Sequence, residues 1–315
     1  MSKIARMYVS LFSTTVVFTL IFFVPVQASE AEKSGAKTSR APEVTRILRD
    51  LEYVPGGHER QKLDLFLPPH SEGSKALPLV VWVHGGAWMA GGKENCPVVS
   101  FLNHGFVVAS INYRLSRHAI FPAQLEDCKA AIRFLRAGAS PYNIDPNRIG
   151  VMGESAGGHL VALLGTTSDV NDFDKGPNLH VSSEVQAVCD YFGPTDFTKM
   201  SDFESEIDHD APDSPESKLI GGPVQENHEA CKKANPITYI SKNDPPFLIC
   251  HGDKDMTVPH NQSVLLNEAL KKAGIDVKFH TVKGGGHGFR DAETDRIVLM
   301  FFEKHLKETG ENRRK

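Results

Sequence analysis

The 315-residue chain carries five cysteines (Cys96, Cys128, Cys189, Cys231 and Cys250) but no two of them at C-x-x-C spacing. That absence excludes the zinc ribbons and fingers built on such pairs. There is no basic stripe and no run of basic residues interleaved with aromatics, so the footprint of a nucleic-acid binder is missing. No segment repeats at a fixed period, which argues against solenoids and propellers. The acidic stretch with Asp202, Glu204, Glu206, Asp208, Asp210 and Asp213 matches no EF-hand spacing. It reads as a solvated loop. Neither a metal nor a cofactor is expected.

Lys3 and Arg6 precede an apolar run from Met7 to Val24, and Val26 and Ala28 stand three and one positions before a cleavage point after Ala28. This is the pattern of a secretory signal and predicts a periplasmic or secreted protein. An uncleaved N-terminal membrane anchor is the alternative, because the run approaches spanning length. Ser10, Ser13, Thr14 and Thr15 dilute the run and favour cleavage, after which no stable membrane association is expected. No cysteine follows the run, so nothing suggests a lipoprotein. Removing residues 1–28 leaves 287 residues and, with Lys3 and Arg6 gone, takes the formal charge from −4 to −6. That length suits one large α/β domain. Residues 29–43 read as a disordered lead-in, 44–308 as the domain and 309–315 as a solvated tail. Cys128, Cys189 and Cys250 lie in apolar or amphipathic runs and read as core residues. Export would permit a Cys189–Cys231 disulfide, which the sequence leaves open.

Apolar β-type runs alternate with helical ones nearly to the end. Leu51 to Val54 and Leu63 to Leu67 alternate like a half-exposed strand pair. Leu79 to Val83 and Phe106 to Ile111 are continuously apolar, as in strands buried on both faces. Ala123 to Arg136 places Leu125, Cys128, Ala131, Ile132 and Leu135 at helical spacing behind Pro122. Strands follow at Ile149 to Met152, Val185 to Cys189, Phe247 to Cys250 and Val277 to Val282. Helices are predicted at Gln262 to Ala273, ended by Gly274, and at Ala292 to Lys307. Such alternation argues a mostly parallel sheet covered on both faces. Residues 197–234 break the rhythm with Asp, Glu, Ser and Pro and are placed to form a small lid.

The chemistry concentrates in Gly153-Glu154-Ser155-Ala156-Gly157, between an apolar strand and a helical run. Strand, G-x-S-x-G and helix together form the context of a nucleophile elbow. The tight turn forces strain on Ser155, while Gly153 and Gly157 lack the β-carbons that would collide there. His84-Gly85-Gly86-Ala87-Trp88 follows a buried strand, and a Gly-rich loop there can turn its amides inward. The Gly86, Ala87 and Ala156 amides are the candidate oxyanion donors. His84 reads as an organiser of this loop, and Trp88 either paves a pocket or packs against the lid. Trp88, Phe121 and Phe289 are the aromatics from which a wide apolar groove would be built.

A serine hydroxyl needs an imidazole base oriented by a carboxylate. Of fourteen histidines, His287 stands in a glycine-rich loop after the last strand. His251 ends a strand and reads as shaping the neighbouring loop. Asp255, in His251-Gly252-Asp253-Lys254-Asp255, is the preferred carboxylate, with Asp253 and Asp196 as competitors. The chain order Ser155, Asp255, His287 is that of α/β-hydrolases.

Together H-G-G-A-W, G-E-S-A-G-G, H-G-D-K-D-x-x-V-P and G-G-G-H-G-F resemble the α/β-hydrolase superfamily. Within it they resemble the carbohydrate acetyl/feruloyl esterase-like group, akin to hormone-sensitive-lipase-like carboxylesterases. The resemblance spans about Val44 to Leu306. It implies an α/β-hydrolase fold with a mostly parallel eight-stranded sheet, Ser155 as nucleophile, Asp255 as acid and His287 as base. It further implies hydrolysis of short-acyl or aryl esters of small molecules or oligosaccharides. Ala87 departs from the usual H-G-G-G, which is tolerable where only its amide is used.

Overall fold

The computed structural model describes residues 44, 46–69 and 75–307. The expected signal at 1–28, the lead-in at 29–43 and the tail at 309–315 lie outside the described residues. Eight strands, β1 (Arg46–Glu52), β2 (Lys62–Leu67), β3 (Leu77–Val83), β4 (Val107–Ile111), β5 (Ile144–Glu154), β6 (Ala187–Tyr191), β7 (Phe247–Gly252) and β8 (Val277–Val282), form one sheet. Their order is β1-β2-β4-β3-β5-β6-β7-β8. β2 pairs antiparallel with both β1 and β4, and every other pairing is parallel. This is the mostly parallel eight-stranded sheet that the family resemblance implies.

The period of two along β3 explains why the sheet is covered twice. Leu79, Val81 and Val83 enter one hydrophobic cluster, while Val80 and Trp82 enter another. The first cluster holds the apolar faces of α1 (Ala123–Ala137), α2 (Ala156–Thr166) and α5 (Asn261–Lys272). The second holds α6 (Ala292–Leu306), through Val298, Phe301 and Phe302, with a 3-10 segment from Pro97 to His104. Side chains that alternate along a strand thus serve different layers. Burial of such residues is the main driving force for the fold, at about 25 cal/mol per Å² of apolar surface.

Between β6 and β7 the predicted lid contains only two short helices, α3 (Pro215–Ile220) and α4 (His228–Ala234), among 3-10 turns. Ser214 caps α3 by accepting the Ser217 N–H, with Pro215 at the first helical position. The lid is anchored on two sides: Glu206 N–H donates to the Met256 carbonyl (2.7 Å) and Phe121 N–H to the Leu219 carbonyl (2.8 Å). All five cysteines are free thiols. Cys231 on α4 points its Sγ at the Val224 carbonyl, whereas Cys189 lies in the sheet, so the Cys189–Cys231 pairing does not form. Cys128, Cys189 and Cys250 are fully buried, as expected of core thiols.

Candidate active site

β5 delivers Ser155 at its C-terminal end, and the local backbone has the expected strain. Ser155 has φ 52° and ψ −121°, a left-handed setting that costs an L-residue free energy. A β-carbon at Gly157 would run into the Val83 carbonyl, and one at Gly153 into the Gly157 backbone. Only glycine permits this approach. Ser155 N–H donates to the Tyr191 carbonyl (2.8 Å), which ties the elbow to β6.

Asp255 lies beyond β7 with its side chain fully buried. Its Oδ1 accepts the Thr257 and Val258 N–H groups (2.8 and 2.9 Å). Its Oδ2 accepts from His287 Nδ1 (2.8 Å) and lies 3.2 Å from His251 Nε2. Burial opposes ionisation, but the hydrogen bonds from His251 and His287, with the His287 charge and the Val258 N–H, hold the carboxyl well below its usual range. The His287 side chain is one-quarter exposed, and its Nδ1 bond leaves Nε2 for another partner. The competing carboxylates are engaged elsewhere. Asp253 Oδ1 accepts the Gly284 N–H (2.6 Å) and so supports the His287 loop. Asp196 caps its own turn through Thr198. His251 shapes the acid's loop, reaching Val258 O (2.9 Å) and Ser263 Oγ (2.7 Å).

The His84–Trp88 loop is held by contacts that no local motif announces. Arg60 Nη2 donates to His84 Nε2 and to the Gly91 carbonyl, both at 3.0 Å. Tyr113 stacks on the imidazole at 4.4 Å. Burial pushes His84 down to about 4, so its neutral ring donates from Nδ1 to the Gly85 carbonyl (2.7 Å). Lys93 closes the loop onto the sheet through Asp64 Oδ1 (2.7 Å). His84 therefore acts as the organiser expected. Gly86, Ala87 and Trp88 have φ 107°, 54° and 55°, so the alanine in place of a glycine is tolerated at the cost of strain. Among the described residues, the Gly86, Ala87 and Ala156 N–H groups donate to no acceptor in the protein. Ala156 opens α2, where the first N–H groups have no helical partner.

A second tie joins the serine and histidine loops: Arg290 Nη2 donates to Glu154 Oε2 (3.0 Å). Phe192 lies 4.6 Å from the His287 ring. Trp88, almost fully buried, both lines the cavity over Ser155 and packs edge-on against Phe197 at the start of the lid. That cavity measures about 30 Å³. Of the three aromatics that could build an apolar groove, Trp88 lines this cavity, while Phe121 packs on Phe173 and Phe289 stacks on Tyr191. The lid instead adds His209 and Glu216 to the cavity wall.

Among the described residues, the donors that converge closely enough for a cation belong to His58, Glu59 and His118. Both imidazoles already accept a backbone N–H at Nδ1, from Arg60 (3.1 Å) and Leu115 (3.2 Å). A ring that accepts at Nδ1 carries its proton on Nε2, so neither imidazole keeps a lone pair there for a metal ion.

A mostly parallel sheet with a serine elbow after β5, a buried carboxylate after β7 and a histidine after β8 defines an α/β-hydrolase. More narrowly, the BD-FAE family model matches residues 63–270, and the chain belongs to that family. It is 32% identical over 258 residues to Esterase LipQ of Mycobacterium tuberculosis, covering 80% of this chain and 59% of the relative. The chain thus spans about three-fifths of that curated relative's length. Among solved structures it resembles a truncated carbohydrate esterase from gut microbiota (TM-score 0.78, 35% identity, 85% of this chain and 99% of that one). It also resembles an acetyl ester-xyloside bifunctional hydrolase from Caldicellulosiruptor lactoaceticus (TM-score 0.61, 30% identity, 78% and 86% covered).

Proposed function

We propose that the protein is an exported serine carboxylesterase that hydrolyses short-acyl or aryl esters of carbohydrates through an acyl-enzyme. The observation that carries the reading is the buried Asp255 carboxylate holding His287 Nδ1, on the sheet edge where the strained Ser155 elbow ends β5. Ser155 Oγ attacks the ester carbonyl carbon and gives its proton to His287 Nε2. The tetrahedral oxyanion is met by the Gly86, Ala87 and Ala156 amides, whose N–H groups have no competing acceptor. Collapse expels the alcohol, which takes the proton from His287. Water, activated by the same base, then releases the acid.

The small cavity over Ser155 favours small ester groups over long chains. The carbohydrate part draws on the named activities of the two structural neighbours. Export draws on Lys3, Arg6 and the apolar run that ends before Ala28. The test compares kcat/KM for p-nitrophenyl acetate, butyrate and palmitate with acetate release from acetylated xylan, for the wild type and Ser155→Ala. The expected result is activity on acetate and xylan that Ser155→Ala abolishes. Higher efficiency on palmitate with no release from xylan would overturn the carbohydrate-ester reading in favour of a lipase. Activity on acetate but on no polysaccharide would leave a general carboxylesterase, and wild-type turnover by a folded Ser155→Ala protein would refute the mechanism.

A further inference from the structure

His209 and Glu216 are buried lid residues, 1% and 3% exposed, and both line the cavity that contains Ser155. Much of the remaining wall is apolar, including Pro194, Ile207, Pro215 and Val258, with Trp88, whose indole N–H is also unpaired, beside them. His209 Nδ1 and Glu216 Oε2 lie 3.1 Å apart, yet they are not aligned for a hydrogen bond and neither has another partner. Ser205 gives its hydroxyl proton to the Met256 carbonyl (3.0 Å), and its oxygen accepts the Ile207 N–H (3.1 Å). The remaining lone pair of Ser205 Oγ takes the His209 Nε2 proton (3.1 Å). His209 Nδ1 and Glu216 Oε2 are thus two buried polar atoms in this wall without a hydrogen bond.

Two unpaired polar atoms buried side by side over the serine are costly to a protein unless partners arrive there. The ligand chemistry that matches them is a pair of hydroxyls on adjacent carbons, each of which can donate to or accept from one of these atoms. We infer that His209 and Glu216 are specificity-determining residues that read a vicinal diol on the alcohol half of the ester, as a partly acylated sugar presents. This inference rests on the ester-hydrolase reading of the same site and names the substrate class within it. Two such hydrogen bonds correspond to a preference of about ten- to a hundredfold over an ester lacking the hydroxyls.

The experiment needs no sugar. kcat/KM is measured for glycerol 1-acetate against propyl acetate, and for propyl 2,3-dihydroxypropanoate against propyl propanoate. The enzymes are the wild type, Glu216→Gln and His209→Phe, each checked by thermal unfolding. The expected wild-type preference is tenfold or more for glycerol 1-acetate, with the ratio falling towards one in both variants and most of the change in KM. A wild-type ratio near one overturns the inference even if the variants do not fold. So does a ratio that both folded variants retain, as it would if the pair merely shared a proton to close the lid. A preference confined to the diol on the acyl side overturns it as well. Failure of the wild type to cleave any of the four esters overturns the ester-hydrolase reading and this inference together. Cleavage of propyl acetate without diol preference overturns this inference alone.

Discussion

Asp190→Asn should abolish a pH dependence of stability that the wild type carries. Asp190, in β6, is 1% exposed; its Oδ1 accepts the Gly193 N–H (2.9 Å), but its Oδ2 has no partner. Burial raises the carboxyl from 3.8 to about 7, against the opposing effect of the Gly193 N–H. The fold therefore holds this proton more tightly than the unfolded chain does. Its stabilising effect is complete below about pH 4 and is lost as pH rises through about 7. At about 1.4 kcal/mol per pKa unit, ionising Asp190 in place costs about 4 kcal/mol once the pH is well above 7. Between pH 5 and 8 the loss is roughly 3 kcal/mol. Asparagine keeps the Oδ1 acceptor and never ionises. Urea unfolding of both proteins at several pH values isolates the effect, because the other titrating groups cancel in the difference. The asparagine variant should gain roughly 3 kcal/mol on the wild type between pH 5 and 8. A difference that stays flat over that range would refute the reasoning.

Three further outcomes are expected. Asp255→Asn should lower kcat by about ten-thousandfold through loss of the His287 tautomer, far more than Asp253→Asn or Asp196→Asn; a larger loss from Asp196→Asn would move the acid to β6. Gly157→Ala should cost about 3 kcal/mol or more by urea unfolding, because the Val83 and His84 carbonyls block the new methyl. Gly274→Ala, at φ +82° with open space around it, should cost only about 1 kcal/mol, and equal costs would contradict the steric account. Ala87→Gly should be neutral or stabilise by up to about 1 kcal/mol, since relief at φ 54° offsets the added chain entropy; a loss above that figure would show that the loop is not strained.

The sheet was legible wherever burial is uniform. β3 and β4 are continuous apolar runs, and β5 is marked by the motif that ends it. β1 was half missed: it begins at Arg46 rather than Leu51, and its residues are mostly exposed, as on an edge strand where composition need not be apolar. β6 runs on to Tyr191 because Asp190 is accommodated by Gly193, not because its sequence reads as a strand. The choice among Asp196, Asp253 and Asp255 turned on which carboxylate the fold points at His287. Arg60 under His84, Glu154 against Arg290 and His209 beside Glu216 are pairings made by tertiary structure. Of these only the last leaves a local trace, the Ser214-Pro215 helix start that fixes Glu216 in the first turn of α3.

The lid leaves the sheet at Tyr191 and returns at Phe247, on strands that are hydrogen-bonded neighbours. The ends of this excursion are held together whatever its length, and doubling a connecting loop costs only about 0.6 kcal/mol in closure entropy. Ser155, Asp255 and His287 are carried on segments outside it. The excursion is thus an exchangeable cassette: lineages, or a designer, can lengthen the wall above the serine at little closure cost, provided that the residues it seats in the first cluster, such as Phe197, Leu219 and Val224, are kept. Diversity of substrate among such enzymes should accordingly track this one insertion more closely than any change in the strands.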